Sequence, residues 1–515
     1  MTAKQTIQKA SFAVVMMIAL GLFNGPAAGA ISGSSSYAPD FMVDKALEMV
    51  PSPSDNPKKT LQSYFREGYA DYSKKKYQSS AEKLFSFITA QTPDAQDYEW
   101  AEFFFGISLY KLGFTHGAVD ALTHLVTQKP NVQIVSYSLE LLEQISRTVP
   151  FDRNLLIQHA LCDQSYDFIQ APLSNFIHYY QGEYDWERGF FGWGEKHFSQ
   201  IPEDSFYYNK YLFVHALRLI YDNRIDEAIS TLKTIIGNLE DGDPLKDDAR
   251  KTLARLFYEK GQFVEADLLY QQIEMNIVEQ SQTLLERAWA HYRMGNPERA
   301  MGLLYSFEAP SYVNSFTPEF YILKSFIYKD VCHYRAALDV LNQFKSRYGG
   351  ALESIYRRKP LQDNEAMLLV ILNKPAIKRR WAFIQLLERE QLRAQNNPDP
   401  NLQSYLVALY ALKQKEVEQQ FRARVTDAYE KMANEMLRFE EEAHLMEYEI
   451  GIDMYQRVHD YHFSEETFEQ SAADTSEGKA IYAFQGEFWN DELDDYEVVL
   501  PNKCKNAEEW DIFFK

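Results

Sequence analysis

Ala254-Arg-Leu-Phe-Tyr258-Glu-Lys-Gly261-Gln-Phe-Val-Glu-Ala266-Asp-Leu-Leu-Tyr270 is the stretch whose reading decides the fold. A small residue comes first, an aromatic stands four later, glycine seven later and alanine twelve later. The order recurs at Ala288, Tyr292, Gly295, Ala300 and Leu304, and at Gly106, Tyr110, Gly113, Ala118 and Leu122. Steps of three and four place such residues on one helix face. The glycine marks a left-handed break, where a side chain would be costly. Each copy therefore reads as two antiparallel helices. They approach closely at the small residues, such as Ala254 and Ala266, and Tyr258 and Tyr270 fill the space beside them. Pro130 and Pro310 end second helices.

Weaker copies flank these three. They lie at 61–93 (Gly68, Tyr72, Ser80, Leu84), 173–203 (Tyr179, Gly182, Phe191), 207–238 (Ala216, Ala228, Leu232) and 318–348 (Tyr328, Tyr334, Ala337, Leu341). Residues 131–170 read as a degenerate helix pair. The pattern resembles the tetratricopeptide repeat (TPR), a helix–turn–helix unit of 34 residues. The expected fold is all-α: a TPR-like α-solenoid of about seven helix pairs over 60–350.

Beyond Gly349-Gly350 the pattern fades into a helical extension at 351–400, closed by Asn396-Asn397-Pro398-Asp399-Pro400. Residues 401–460 read as one long helix. An apolar stripe runs from Val417 through Met432, Phe439 and Ile450 to Val458. Its Met and Phe content points to packing on the chain itself, although such a helix also offers a surface for self-association. A linker at 461–479 leads to an aromatic and acidic tail at 480–515, in which Ala480–Phe484 and Tyr496–Leu500 look extended, as short β-strands would. The tail is expected to dock, either on a neighbouring envelope protein or on its own chain. Arg357, Arg358, Lys378, Arg379 and Arg380 are the candidate contacts for self-docking.

Lys4 and Lys9, the apolar run Phe12–Phe23 and the small residues up to Ala30 read as a secretory signal peptide at 1–30, followed by a linker at 31–59. No second long apolar run follows, so no stable membrane insertion is expected after cleavage. A formal net charge of −21 opposes nucleic-acid binding through the overall field. Of the three cysteines, Cys162 and Cys332 stand among apolar neighbours and read as buried thiols, while Cys504 lies in a polar segment. One disulfide with one free thiol is equally allowed by the count.

No nucleophile-elbow, zinc-protease, phosphate-loop or paired-cysteine motif occurs, so no catalytic, cofactor or metal residue is assigned. Glu441-x-x-His444 lacks the second such pair that a di-iron site needs. His459-x-x-His462 reads as a polar helix end. The unusual local feature is the aromatic cluster Phe176–Phe198, with Tyr179, Tyr180, Tyr184, Trp186, Phe190, Phe191, Trp193 and Phe198, which reads first as inter-repeat core and otherwise as a recognition surface; Tyr180, Tyr184, Trp186, Phe191 and Trp193, with Phe488, Trp489 and Trp510 in the tail, are the candidate partner-binding residues. Ser199-Gln-Ile-Pro-Glu-Asp-Ser-Phe-Tyr-Tyr208 and Gly486-Glu-Phe-Trp-Asn-Asp-Glu-Leu look like exported TPR proteins of Gram-negative bacteria, a group similar to periplasmic TPR proteins associated with gliding-motility machinery. That resemblance implies a periplasmic scaffold whose partners are other envelope proteins, with no shared catalytic residues. The alternatives are a carbohydrate- or peptidoglycan-binding protein using the aromatic surface, or an enzyme built on the repeat frame.

Overall fold

The computed structural model describes residues 61–128, 131–162, 164–273, 277–312, 315–360, 365–461 and 496–505. The signal peptide, both linkers, Pro130, His462, Phe488, Trp489, Trp510 and most of the tail lie outside these. The described residues are helical with connecting turns, and no β-strand occurs among them. They divide into two compact units.

One unit comprises 61–214 and 375–424. Its helix pairs are α1 (Leu61–Ser73) with α2 (Tyr77–Ala90), α3 (Tyr98–Lys111) with α4 (Thr115–Thr127), α5 (Val132–Thr148) with a π-helical turn (Leu155–Leu161), and α6 (Leu173–Glu187) with α7 (Phe191–Phe198). The helix α8 (Tyr208–Tyr221) runs from this unit into the other, where α9 (Ile225–Asn238) follows it. The other unit continues with α10 (Pro244–Glu259) and α11 (Phe263–Tyr270), α12 (Ile277–Arg293) and α13 (Pro297–Tyr305), α14 (Pro318–Asp330) and α15 (Tyr334–Tyr356), and the short α16 (Glu365–Leu372). These are consecutive TPR-like helix pairs. The extension is two helices, α16 and α17 (Pro375–Ala394), because Pro375 starts a new one, and α15 runs on through Gly349-Gly350 to Tyr356.

One register governs seven of the pairs. The turn residue has positive φ in every case: Lys75, Gly113, Gly189, Asn223, Gly261, Gly295 and Cys332, with φ between 58° and 83°. Each turn closes with the same two bonds. In the second pair Gly113 N–H donates to Tyr110 O and Phe114 N–H to Leu109 O, both at 2.9 Å. This double bond pattern satisfies the last carbonyls of the first helix. Seven residues before each turn residue stands Gly68, Gly106, Gly182, Ala216, Ala254, Ala288 or Ser325. There the second helix approaches so closely that a Cβ on Gly68 would lie 2.8 Å from Leu84, and one on Gly182 would lie 2.7 Å from Phe198. The core residues Leu84, Leu122, Phe198, Leu232, Tyr270, Leu304 and Leu341 fill the matching position and are buried.

The long helix α18 (Pro400–Tyr461) starts where Asp399 accepts from Leu402 N–H at 2.7 Å. Its stripe is packed on the chain itself: Val417, Val425, Ala428, Met432, Met436, Phe439, Ala443, Met446 and Ile450 are all buried. In the first unit, Tyr410 donates to Glu390 of α17, which also accepts from the N–H groups of Thr115 and His116 and so caps α4 from a distant helix. In the second unit, Lys329 pairs with Glu449 at 2.8 Å, and Lys345 pairs with Glu447. The opposite face exposes Leu445, Tyr448, Ile452 and Tyr455.

Candidate protein-binding surface

In the first unit, α6 and α7 sort the aromatic cluster into two layers. Gly182 and Gly194 let the helices close, and a Cβ on Gly194 would lie 2.1 Å from Trp186. Trp186 therefore lies inside the pair, 9% exposed. Its indole N–H donates to Phe191 O at 3.1 Å and its ring meets Phe198 edge-on. Trp186 is thus a core residue, which corrects its reading as a contact residue. The reason is register: it stands four residues after Gly182, on the face turned to α7. Tyr180 is half-buried between Phe176 and Arg153, whose guanidinium pairs with Glu183 at 2.7 Å. Burial pushes the Glu183 carboxyl up, and Arg153 opposes the shift.

The outer layer is exposed. Phe191 is 40% exposed and Trp193 68%, and Lys196 lies over the Trp193 ring at 5.7 Å. Phe190, a member of the cluster read from sequence, is 51% exposed under Arg188 at 5.3 Å. The same Arg188 lies over Tyr184 and donates to its hydroxyl at 3.1 Å. At the start of α8, exposed Phe206 is flanked by Arg147 at 4.1 Å and Lys210 at 4.3 Å. Phe206 was not among the candidate contacts, although it lies within the Ser199–Tyr208 stretch. These rings present apolar faces with cations over them, a combination suited to apolar and acidic groups.

The second unit carries a filled groove. Residues 496–504 lie across α13 and the turn between α14 and α15. Tyr496, Val498 and Leu500 face the helices while Glu497 and Val499 face solvent. The alternation is that of an extended strand, but the bonds run to helix backbone and side chains. Val498 N–H donates to Glu298 O and Lys503 N–H to Val331 O, both at 3.1 Å. Arg299 donates to Tyr496 O at 2.9 Å, and His333 Nε2 lies 2.8 Å from Pro501 O. Cys504 forms a disulfide with Cys332, so Cys332 is not the buried thiol expected from its neighbours, and Cys162 lies outside the disulfide. The described tail therefore docks on its own chain, at Arg299, His333 and Arg457. None of the basic residues named from sequence meets the described part of the tail: Arg357 pairs with Glu353, Arg358, Lys378 and Arg379 are exposed, and Arg380 lies near Asp152 and Glu416, while the rest of the tail lies outside the described residues.

Several buried carboxylates are held in ion pairs. Asp267 pairs with Arg287 at 2.8 Å and His291 at 3.1 Å, which holds its pKa at about 2. Glu286 meets Arg255 and Tyr270, and Asp152 meets Lys413. Glu441 and His444 are both exposed, and the His459 ring lies tilted beside Tyr455 at 6.3 Å. Among the described residues no group of three or more His, Cys, Asp or Glu could hold a metal ion, and no helix is long and apolar enough to cross a membrane.

No family model matches the chain, and no curated protein matches it. Among solved structures it is similar to a tetratricopeptide repeat protein from Parabacteroides merdae ATCC 43184. The identity is 16% over 56% of this chain and 92% of that one, with a TM-score of 0.20.

Proposed function

We propose that this chain is an exported TPR-like scaffold that binds other proteins of a cell-envelope complex. The observation that carries the reading is the outer layer of α6 and α7: Phe190, Phe191 and Trp193 stand exposed beside Arg188 and Lys196 on a frame of stacked helix pairs. Rings of this kind dominate protein-binding energetics when a partner covers them. Two features support export. Residues 1–30 have the charge, apolar run and small-residue site of a secretory signal. The Cys332–Cys504 disulfide is a bond that oxidising compartments keep. The resemblance to gliding-associated periplasmic proteins directs the search for partners to envelope-spanning machinery.

The test is a crosslinking pull-down from envelope fractions with the native chain and with Phe191→Ala/Trp193→Ala. Loss of specific partners at unchanged melting temperature supports the reading. Retention of every partner removes the surface from it. Binding of soluble peptidoglycan fragments that is lost in the double variant would replace the protein partner with a glycan. Mature protein is expected to begin near Ile31 in an osmotic-shock fraction; an intact Met1 in cytosol would end the export proposal.

A further inference from the structure

The segment 496–504 is held by its disulfide, by hydrogen bonds that run largely to its backbone and by alternate apolar side chains. Of its side chains only Leu500 is buried outright, among Leu284, Leu304, Leu323 and Val331, while Tyr496 and Val498 are partly covered. The groove is nevertheless shaped for an extended chain. Gly302 leaves room for peptide backbone, the carbonyl of Glu298 accepts a backbone N–H, and Arg299 and His333 donate to backbone carbonyls. These backbone bonds carry no sequence preference, and the alternate apolar contacts carry it instead.

We propose that this face of α13 and the α14–α15 turn is a binding groove for extended peptides with apolar side chains at alternate positions, and that the Cys332–Cys504 bond keeps it filled by the chain's own C-terminal segment until a dithiol opens it. The two sulfurs are not equivalent. Cys332 is fully buried, whereas Cys504 is partly exposed. Tyr334 donates its hydroxyl to Cys332 Sγ at 3.4 Å, and Arg457 Nε donates to that hydroxyl. This relay supports negative charge on Cys332, so an incoming thiolate attacks Cys504 and Cys332 leaves. The first step forms a mixed disulfide between the reductant and Cys504 and leaves a Cys332 thiolate, which takes up a proton. The second thiol of the reductant then attacks the mixed disulfide and releases Cys504 as a thiol. Two electrons and two protons reach the protein, and the dithiol ends as its own disulfide. The segment, no longer tethered at Cys504, leaves the groove, and a peptide of the same alternation enters from another protein.

The experiment uses the full chain in three forms: oxidised, treated with dithiothreitol, and Cys504→Ser. A labelled synthetic peptide spanning Asp495–Asn502 reports binding by fluorescence anisotropy, and hydrogen exchange follows the segment and α13–α15. Reduced and Cys504→Ser protein should bind the peptide at least tenfold more tightly than oxidised protein, with faster exchange at 497–504. Gly302→Leu in the Cys504→Ser background should abolish uptake without lowering the melting temperature. A peptide with Val498 and Leu500 replaced by Asp should not bind. Equal binding to oxidised and reduced protein overturns the proposal, and so does a segment that stays protected and excludes peptide after reduction. Exchange spreading through α14 and α15 on reduction overturns it as well, because the segment would then be a structural strut.

Discussion

The carbonyl oxygen of Tyr496 lies 1.9 Å from the point where Gly302 would carry a Cβ, and the Cα of Glu497 lies 2.7 Å from it. The glycine is in the middle of α13, where it costs up to about 1 kcal/mol against alanine, so its helix would be stronger without it. Gly302→Val should therefore expel the segment rather than break the helix. The expected result is fast exchange at 497–502, with α12–α14 still protected. Slow exchange in both regions would show that the backbone approaches from elsewhere.

Lys75 and Asn223 hold the left-handed turn position that glycine holds in four other pairs. A non-glycine residue there costs roughly 1–2 kcal/mol, less for asparagine. Lys75→Gly should raise stability by about 1 kcal/mol and Asn223→Gly by less, read from denaturant midpoints at unchanged slope. A loss of stability at Lys75 would mean that the turn is not left-handed.

Glu319 gives the second unit a pH response. Burial first, then the nearby Glu442, push its carboxyl up to about 7, while Arg438 and the Trp289 indole oppose the shift. The indole donates at 2.9 Å. The folded chain thus binds this proton more tightly than the unfolded one. Stability contributed by the protonated form is full below the unfolded pKa and is lost as pH rises through about 7. Glu319→Gln should remove that decline and be more stable than the native chain at pH 8, by on the order of 2 kcal/mol. Parallel pH profiles for both proteins would refute it.

The two tryptophans of the aromatic pair separate core from surface. Trp186→Ala should cost roughly 3–5 kcal/mol, as removal of a buried ring does. Trp193→Ala should stay within about 0.5 kcal/mol of the native chain and lose partner capture. Equal melting losses would place both rings in the core.

The register of small residue, turn and small residue was legible because it is local: seven and twelve residues after Gly68, Ala254 or Ser325 the same backbone task recurs. The same count places Cys332 on the turn position, seven after Ser325, which was the available signal against a helix-buried thiol. For Trp186 the core reading of the cluster is the one that applies, since its offset from Gly182 gives its face and its aromatic character does not. The groove was not legible. Arg299, Gly302 and His333 form it only when α13 and the α14–α15 turn are packed, and no spacing in the sequence joins them to Tyr496. Phe206 was missed as a contact because an aromatic residue just before a helix looks like a staple to the core until its exposure is known.

Cys332 and Cys504 are separated by 172 positions, and the bond between them turns everything in between into a closed ring. Tension applied to the chain beyond Cys504 then enters at that sulfur and crosses to the turn between α14 and α15. The helices α15 to α18 feel none of it, and roughly 600 Å of contour, at about 3.5 Å per residue, is withheld from stretching. In single-molecule pulling from the two ends, the oxidised chain should lengthen by the residues outside the ring alone, and reduction should add the hidden length. A chain held through the residues beyond Cys504 would be a short tether when oxidised and a long one when reduced.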